Sequence, residues 1–398
     1  MIEREVNPDN ISQADIVVAL ASYQEADTIS YPTQQADLGM RKYFSDMKPV
    51  IINADNNSPD NTEQAFLNTE TKVSKIYITT PPDMSGKGYN FENIFRRALE
   101  LDAKVLICVD ADLESITPKW IKYFGEAILD GYDYTTPLYS RHKYDGTITN
   151  NICYPLVYGL LGQNLRQPIG GDFALGHNLL EHLLKITWHR TTEEYGIDIF
   201  QTMNAILGGF KVCETGLGAK IHKPSAPKLG PMFSQVVGTA FFLITRHIDF
   251  WKDIKHLRNC PLFGMRHLKA PQELNVNAET ILTQALEGFE QTKDDFKENL
   301  SSKVYKEIKH IFESKKKEDM NNLDAELWCK VVYDMIAAFS KTEENASIIE
   351  SLKSLYFGRV VSFMNQTRDM SSEEAEEFII EQAQVFFDNR KYLLDKIL

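Results

Sequence analysis

The chain has 398 residues, 43% of them hydrophobic and 25% charged, with a formal net charge of −13 at pH 7. That composition excludes a disordered chain and allows one large catalytic domain with a smaller companion. The acidic excess argues against nucleic acid or an anionic membrane surface as partner, because it repels both. Cys108, Cys153, Cys213, Cys260 and Cys329 are odd in number and lack CxxC spacing, so neither a disulfide framework nor a zinc site is expected. The N-terminus is charged and has no apolar signal core, and the longest apolar run, 236–244, is too short to span a bilayer. A cytoplasmic protein with reduced thiols is expected.

In chain order, residues 15–22 read as a buried strand, followed by Tyr23-Gln-Glu-Ala-Asp27 and an amphipathic stretch to Lys42, a βα unit. Residues 49–54 give a second strand that ends in Asp55-Asn-Asn-Ser-Pro-Asp-Asn-Thr62, where Asx and Ser side chains can make the turn and start a helix. Asp55 there suits two roles equally: gripping a nucleoside, or bonding its own turn. A third strand at 75–79 leads through Ser85-Gly-Lys-Gly88 into a helix over 89–101. Gly86 and Gly88 bend the backbone beside Lys87, which puts a cation near a helix N-terminus, an arrangement that favours phosphate. The spacing GxxxxGK[ST] is missing, so this is not a P-loop.

The central stretch is Val105-Leu-Ile-Cys-Val-Asp-Ala-Asp112. Its apolar run reads as a strand buried on both faces, and it stops in two carboxylates separated by one small residue. In an open α/β sheet, ligands bind beyond the carboxyl ends of the strands, which puts Asp110 and Asp112 at the rim of a crevice. Alternation turns both the same way, with Ala111 facing away. Such a pair suits a hard divalent cation that leaves its other positions to phosphate and water. An Asp capping the next helix is the plainer reading, but Thr117 and Pro118 already fill the cap and first-turn positions.

A helix over 118–130 and a strand over 132–139 follow. The cluster Arg141, His142 and Lys143 reads as a small-anion site or as a solvated loop. Gln167-Pro-Ile-Gly-Gly-Asp172 sets Gly170 and Gly171 against one carboxylate, as where backbone approaches a ligand closely. A cyclic-dinucleotide synthase signature is excluded, since Phe173 and Ala174 stand where a second acid would follow. Asp198 opens a helix backed by Ile199, Met203 and Ile206, as a site residue or as a partner of the helix dipole. In a last strand over 211–222, Gly216 and Gly218 hint at a bulge and His222 lies near the end. Beyond Pro261 and Pro271 the chain turns to Lys/Glu-rich amphipathic segments, one of them capped at Ser371-Ser-Glu-Glu374. Trp328, Val332, Met335 and Phe339 form a helical stripe suited to self-association, so a homo-oligomer is expected, unless the stripe packs within its own chain. The expected architecture is α/β: a doubly wound, mostly parallel sheet with helices on both faces in a catalytic domain over 1–262, then an all-helical extension over 271–398.

Together, Ala21-Ser-Tyr-Gln-Glu25, Asp55, Gly86-Lys87-Gly88, Asp110-Ala-Asp112, Gln167 to Asp172, Tyr195-Gly-Ile-Asp198 and His222 resemble the glucosyl-3-phosphoglycerate, glucosylglycerate and mannosylglycerate synthase group. These are retaining glycosyltransferases of the GT-A (Rossmann-like) fold that use sugar nucleotides. The resemblance implies donor binding by Ala21, Ser22, Glu25, Asp55, Lys87, Asp110, Ala111, Gly170 and Gly171. It implies Mg²⁺ or Mn²⁺ on Asp112 and His222, and Asp110, Asp172 and Asp198 around the transferred sugar and the reaction. Asp198 stands where the phosphoglycerate enzymes carry Glu. Thr147 stands where they carry Arg, while Thr149 is kept. The implied acceptor is thus a small carboxylate, D-glycerate ahead of 3-phosphoglycerate, held by Arg141 and His142 with Thr147 and Thr149. The product would be a compatible solute such as glucosylglycerate or mannosylglycerate. Three competing readings are weaker. A family-two-like transferase acting on a polysaccharide or lipid-linked acceptor should carry a membrane-binding helix or basic face. A nucleotidyltransferase should carry a Gly-rich signature near residues 19–25, and a scaffold should bind no nucleotide.

Overall fold

The computed structural model describes residues 1–223, 229–264, 273, 274, 276–342 and 346–398. Compactness divides these into two units. The first gathers the described residues of 1–140, 167–223 and 260–264, and the second those of 141–166, 229–259 and 273–398.

The first unit is built on one nine-stranded sheet. Its strands are β1 (Arg4–Val6), β2 (Ile16–Ser22), β3 (Pro49–Asp55), β4 (Lys75–Thr79), β5 (Val105–Asp110), β6 (Tyr134–Ser140), β7 (Phe173–Gly176), β8 (Val212–Ala219) and β9 (Leu262–Phe263). Across the sheet the order is β1-β4-β3-β2-β5-β7-β6-β8-β9, parallel throughout except for β1 and β7. Helices α1 (Ser30–Tyr43), α2 (Thr62–Asn68), α3 (Lys87–Glu100), α4 (Pro118–Leu129), α5 (His177–Lys185) and α6 (Ile197–Leu207) accompany it. The interior of β2 and β5 is buried on both faces, which is why these strands read as unbroken apolar runs rather than alternating ones. Chain connectivity leaves β2 toward β3 on one side and returns to β5 on the other. This is the switch point at which such sheets open a crevice. Parallel register then sets Ser22 opposite Asp55 and Ala21 opposite Asp110, bringing three strand ends to one rim.

The expected doubly wound sheet is therefore present, with differences of detail. Strand β5 ends at Asp110, so Ala111 and Asp112 lie in the turn beyond it and strand alternation does not orient Asp112. Ala111 nonetheless packs into the apolar core with Val109 and Leu113. Thr117 has the extended backbone of a cap, but its side chain makes no capping bond, and Pro118 in the first turn starts α4. Strands β1 and β7 have no clear signal in the sequence: one has three residues, the other is a four-residue antiparallel insertion after two glycines. In β8 the expected bulge is real, for Leu138 pairs with Gly216 but Tyr139 with Gly218.

The second unit is helical: α7 (Leu229–Arg246), α8 (Ile248–Trp251), α9 (Ala278–Asn299), α10 (Ser302–Glu313), α11 (Ala325–Phe339), α12 (Ala346–Gln366), α13 (Ser372–Asp388) and α14 (Arg390–Ile397). The boundary expected between 262 and 271 is not where this unit begins, because residues 141–166 group with the helices. Physical ties explain the grouping. Trp328 Nε1 donates to Asn151 O at 2.7 Å, Gln382 Nε2 to Asn150 O at 2.8 Å, and Arg166 grips Glu376 with two nitrogens at 2.6 and 2.9 Å. The capping box at Ser371 and Glu374 forms as expected. Trp328, Val332, Met335 and Phe339 are buried inside this unit, so the stripe is internal packing and supplies no self-association surface. All five cysteines are free, and among the described residues no helix is long and apolar enough to cross a membrane.

Candidate functional site

The rim of the first unit carries a chain of alternating charges. Lys87, the first residue of α3, places Nζ 3.1 Å from Asp110 Oδ1 and 3.2 Å from Asp198 Oδ1. Asp110 Oδ2 in turn meets Lys220 Nζ at 2.7 Å, and that ammonium reaches Asp172 Oδ2 at 2.8 Å and Gly170 O at 3.0 Å. Asp172 is pinned further: its Oδ1 accepts from Asp110 N at 2.8 Å and its Oδ2 from Tyr139 Oη at 2.5 Å. Asp110, Asp172, Asp198 and Lys87 were each named from the sequence; Lys220, which joins two of them, was not. The signal was present, since Lys220 and His222 share a parity just after the β8 bulge, but a single lysine in a loop has no motif.

Electrostatics separate the carboxyl groups. Burial alone would raise the Asp110 pKa, but Lys220 and then Lys87 pull it well below the usual carboxylate range, with a smaller contribution from His222. Burial works against the Lys87 charge too, yet Asp110 and Asp198 outweigh it and its pKa is raised. Asp198 is raised by burial, which its partner Lys87 only partly offsets. Asp112 is pushed up to about 6, first by burial and then by Asp110. Among the described residues no hydrogen bond or ion pair falls on its carboxylate. The two halves of the acid pair thus differ: one is neutralised inside the protein, the other is left with its charge.

Several expected ligand groups are turned inward. Asp55 accepts four bonds, from Ser22 Oγ (2.8 Å), Ser58 Oγ (2.6 Å), Ser58 N (2.7 Å) and Tyr77 Oη (2.9 Å), which is the turn role and saturates both oxygens. Ser22 Oγ also accepts from Asn53 Nδ2 at 2.8 Å. Glu25 Oε2 takes Thr28 Oγ1 and Lys223 Nζ, each at 2.7 Å. The phosphate cradle expected at Gly86–Gly88 is filled by the chain itself: Gly88 N donates to Glu194 O at 2.9 Å and Tyr89 N to Glu193 O at 3.1 Å. A Cβ on Gly88 would stand 2.0 Å from Thr192 O, so this glycine admits the 192–194 backbone rather than a ligand. Gly171, at φ +91°, likewise makes room for a pair of side chains: a Cβ there would lie 2.5 Å from Asp110 Oδ2 and 2.7 Å from Lys220 Nζ.

The expected acceptor residues lie in the second unit. Arg141 Nη1 pairs with Asp145 at 3.4 Å, His142 Nδ1 accepts from Tyr144 N at 3.2 Å, and burial lowers the His142 pKa. Thr147 Oγ1 shares a 2.6 Å hydrogen bond with Tyr356 Oη, and Thr149 is buried at the start of a π-helical turn, Thr149–Cys153. Lys143 serves structure: its ammonium donates to the carbonyls of Thr367, Arg368 and Met370 just past the end of α12. Among the described residues no three His, Cys, Asp or Glu side chains converge as a preformed metal centre. The group with the chemistry to attract a cation is Asp112, an unsatisfied carboxylate beside other acids, with His222 two residues beyond Lys220.

Over the part of the chain that carries most of this rim, the sequence is similar to a known glycosyltransferase family. Residues 63–223 match the family model described as mannosylglycerate synthase, GT domain, a span that holds Lys87, the acid pair, Asp172, Asp198, Lys220 and His222. No curated protein matches the sequence. Among solved structures, glucosyl-3-phosphoglycerate synthase from Mycobacterium tuberculosis in complex with phosphoglyceric acid is similar at 20% identity and a TM-score of 0.47, over 58% of this chain and 80% of that one. The same enzyme with Mg²⁺ and uridine diphosphate aligns at 21% identity and a TM-score of 0.47, over 58% and 79% of the two chains. A further structure, described as a mycobacterial protein, aligns at 24% identity and a TM-score of 0.47, over 58% and 76%.

Proposed function

We propose that the protein transfers a hexose, with retention and dependence on Mg²⁺ or Mn²⁺, from a nucleoside-diphosphate sugar (UDP-glucose, GDP-glucose or GDP-mannose) to D-glycerate or 3-phosphoglycerate. The observation that carries this reading is the Asp112 carboxylate. It is held in the turn after β5 with its pKa pushed up to about 6 and without a hydrogen bond among the described residues, next to a carboxylate already neutralised. Keeping an uncompensated charge half buried costs stability, which a bound cation repays. Asp112 and His222 would hold the metal, which when bound supplies Lewis acidity to the departing diphosphate.

The chain's own residues do the rest. Asp172 is fully buried and fixed by Tyr139, Lys220 and the Asp110 amide, so its part is to hold Asp110 and Lys220 in place before substrate arrives. Lys87 ties Asp110 to Asp198 and keeps positive charge near the departing phosphates, and the buried Asp198 shapes the sugar and acceptor side. The pairing of Arg141 with Asp145 and of Lys143 with helix carbonyls, together with Thr147 in place of an Arg, favours D-glycerate over a phosphorylated acceptor. Purified protein offered each donor with each acceptor, with Mn²⁺, with Mg²⁺ and with EDTA, tests this. Nucleoside diphosphate and a glycosylated glycerate should appear only with metal. Turnover in excess EDTA, or none in any combination, would overturn it.

A further inference from the structure

We propose that Lys220 is a positioning residue that withholds Asp110 and Asp172 from the divalent cation, so that the metal's charge is met by Asp112. This rests on the proposed function and deepens it, by dividing the strand-end acid pair into one internally neutralised member and one cation-binding member. The geometry is specific. The Lys220 side chain is only 4% exposed, and its ammonium meets three acceptors, Asp110 Oδ2 at 2.7 Å, Asp172 Oδ2 at 2.8 Å and Gly170 O at 3.0 Å. Three bonds are what an ammonium can donate. Its Nζ also lies 5.4 Å from the centroid of the Tyr139 ring, and Tyr139 Oη holds the same Asp172 oxygen. The backbone is shaped around the pair, since a Cβ at Gly171 would collide with both Asp110 Oδ2 and Lys220 Nζ.

Charge explains why such a lysine belongs there. Asp110, Asp112, Asp172 and Asp198 set four carboxylates against two ammonium groups, Lys87 and Lys220, and Glu25 adds to the negative charge felt by Asp112, so the rim carries an excess of negative charge. Without Lys220 that excess would be larger, and Asp110 and Asp172 would be open to ligation. A cation drawn onto them would be held away from the diphosphate, and Asp172 would lose the orientation it needs. Lys220 thus lowers affinity for bare metal while keeping the carboxylates in place.

The test reads a sign. Calorimetric titration with Mn²⁺ alone, on full-length protein, should show Lys220→Met binding roughly three- to tenfold tighter than the wild type, the size expected for one unit charge at a partly screened distance. A residue that merely supported the fold would leave Mn²⁺ affinity unchanged or weaken it. Asp172→Asn should bind Mn²⁺ more weakly by a similar factor, and Lys220→Met/Asp172→Asn should return to within about twofold of wild type. If Lys220→Met alone does not fold, Asp172→Asn against the double variant reads the same step. Unchanged or weaker Mn²⁺ binding on removing Lys220, in a background where wild type binds Mn²⁺, overturns this inference alone. Wild type binding neither Mn²⁺ nor UDP or GDP with Mn²⁺ overturns it together with the proposed function.

Discussion

Replacing Asp112 by Asn should stabilise the metal-free protein and abolish its gain from ligand. The folded pKa of about 6 lies above the reference aspartate value of 3.8, so ionisation is harder in the folded chain than in the unfolded one. For an acid shifted this way, the penalty is absent below the unfolded pKa, grows as pH rises through about 4 to 6, and is fully present at pH 7 and above. At about 1.36 kcal/mol per pKa unit the shift sets an upper bound near 3 kcal/mol, and coupling to Asp110 with partial exposure brings the working figure to about 1–2 kcal/mol. With an unfolding entropy of about 2.1 cal/mol/K per residue, a chain this long moves by roughly 1 °C per kcal/mol, so the variant should melt about 1–2 °C higher in EDTA at pH 7.5 and level with wild type near pH 4. Adding Mn²⁺ and nucleoside diphosphate at about 100 times Kd should stabilise wild type by about 2.7 kcal/mol and leave the variant where it was, reversing their order. Melting curves of both proteins at the two pH values, with and without ligand, decide it. An Asn variant less stable than wild type in EDTA at pH 7.5 would refute the claim that the Asp112 charge is uncompensated.

Three further outcomes follow from the same geometry. His222→Ala should lose most Mn²⁺-dependent affinity for UDP or GDP by calorimetry, whereas His189→Ala should not, since His189 Nδ1 bonds locally to Thr191 Oγ1 at 2.7 Å; wild-type affinity should itself fall as pH drops below about 6, where Asp112 takes up a proton. Gly171→Ala should cut turnover at least tenfold while changing urea stability by about 1–2 kcal/mol, because the φ of +91° and the 2.5 Å approach to Asp110 Oδ2 force the Asp110–Lys220 pair apart. Trp328→Ala should cost about 3–5 kcal/mol in urea unfolding, through the cavity and the orphaned Asn151 carbonyl, without creating or removing an oligomer by light scattering.

Local chemistry by itself determined most of the sheet and its rim. The strand at 75–79 has the observed bounds, and the buried strands ending at Ser22, Asp55 and Asp110 are found within a residue or two, because strands covered on both faces must be continuously apolar and then stop. The bulge before His222, the first-turn place of Asp198 and the Ser371 capping box were also legible, each depending on residues only a few positions apart. Tertiary structure decided what those residues bond to. Gly86–Gly88 has the composition of an anion site, yet its amides are taken by carbonyls more than a hundred residues away in the chain. Asp55 had two equal roles until Ser22, Ser58 and Tyr77 closed on it, and the stripe at Trp328 had two until its burial chose one. Lys220 is the sharpest case. Its neighbours in sequence say nothing of it, and only the convergence of β5, the Gly170–Gly171 turn and the end of β8 gives its ammonium two carboxylates to hold. Secondary structure follows from the pattern of side chains along one segment, while a charge acquires its role from partners that distant segments bring within about 3 Å.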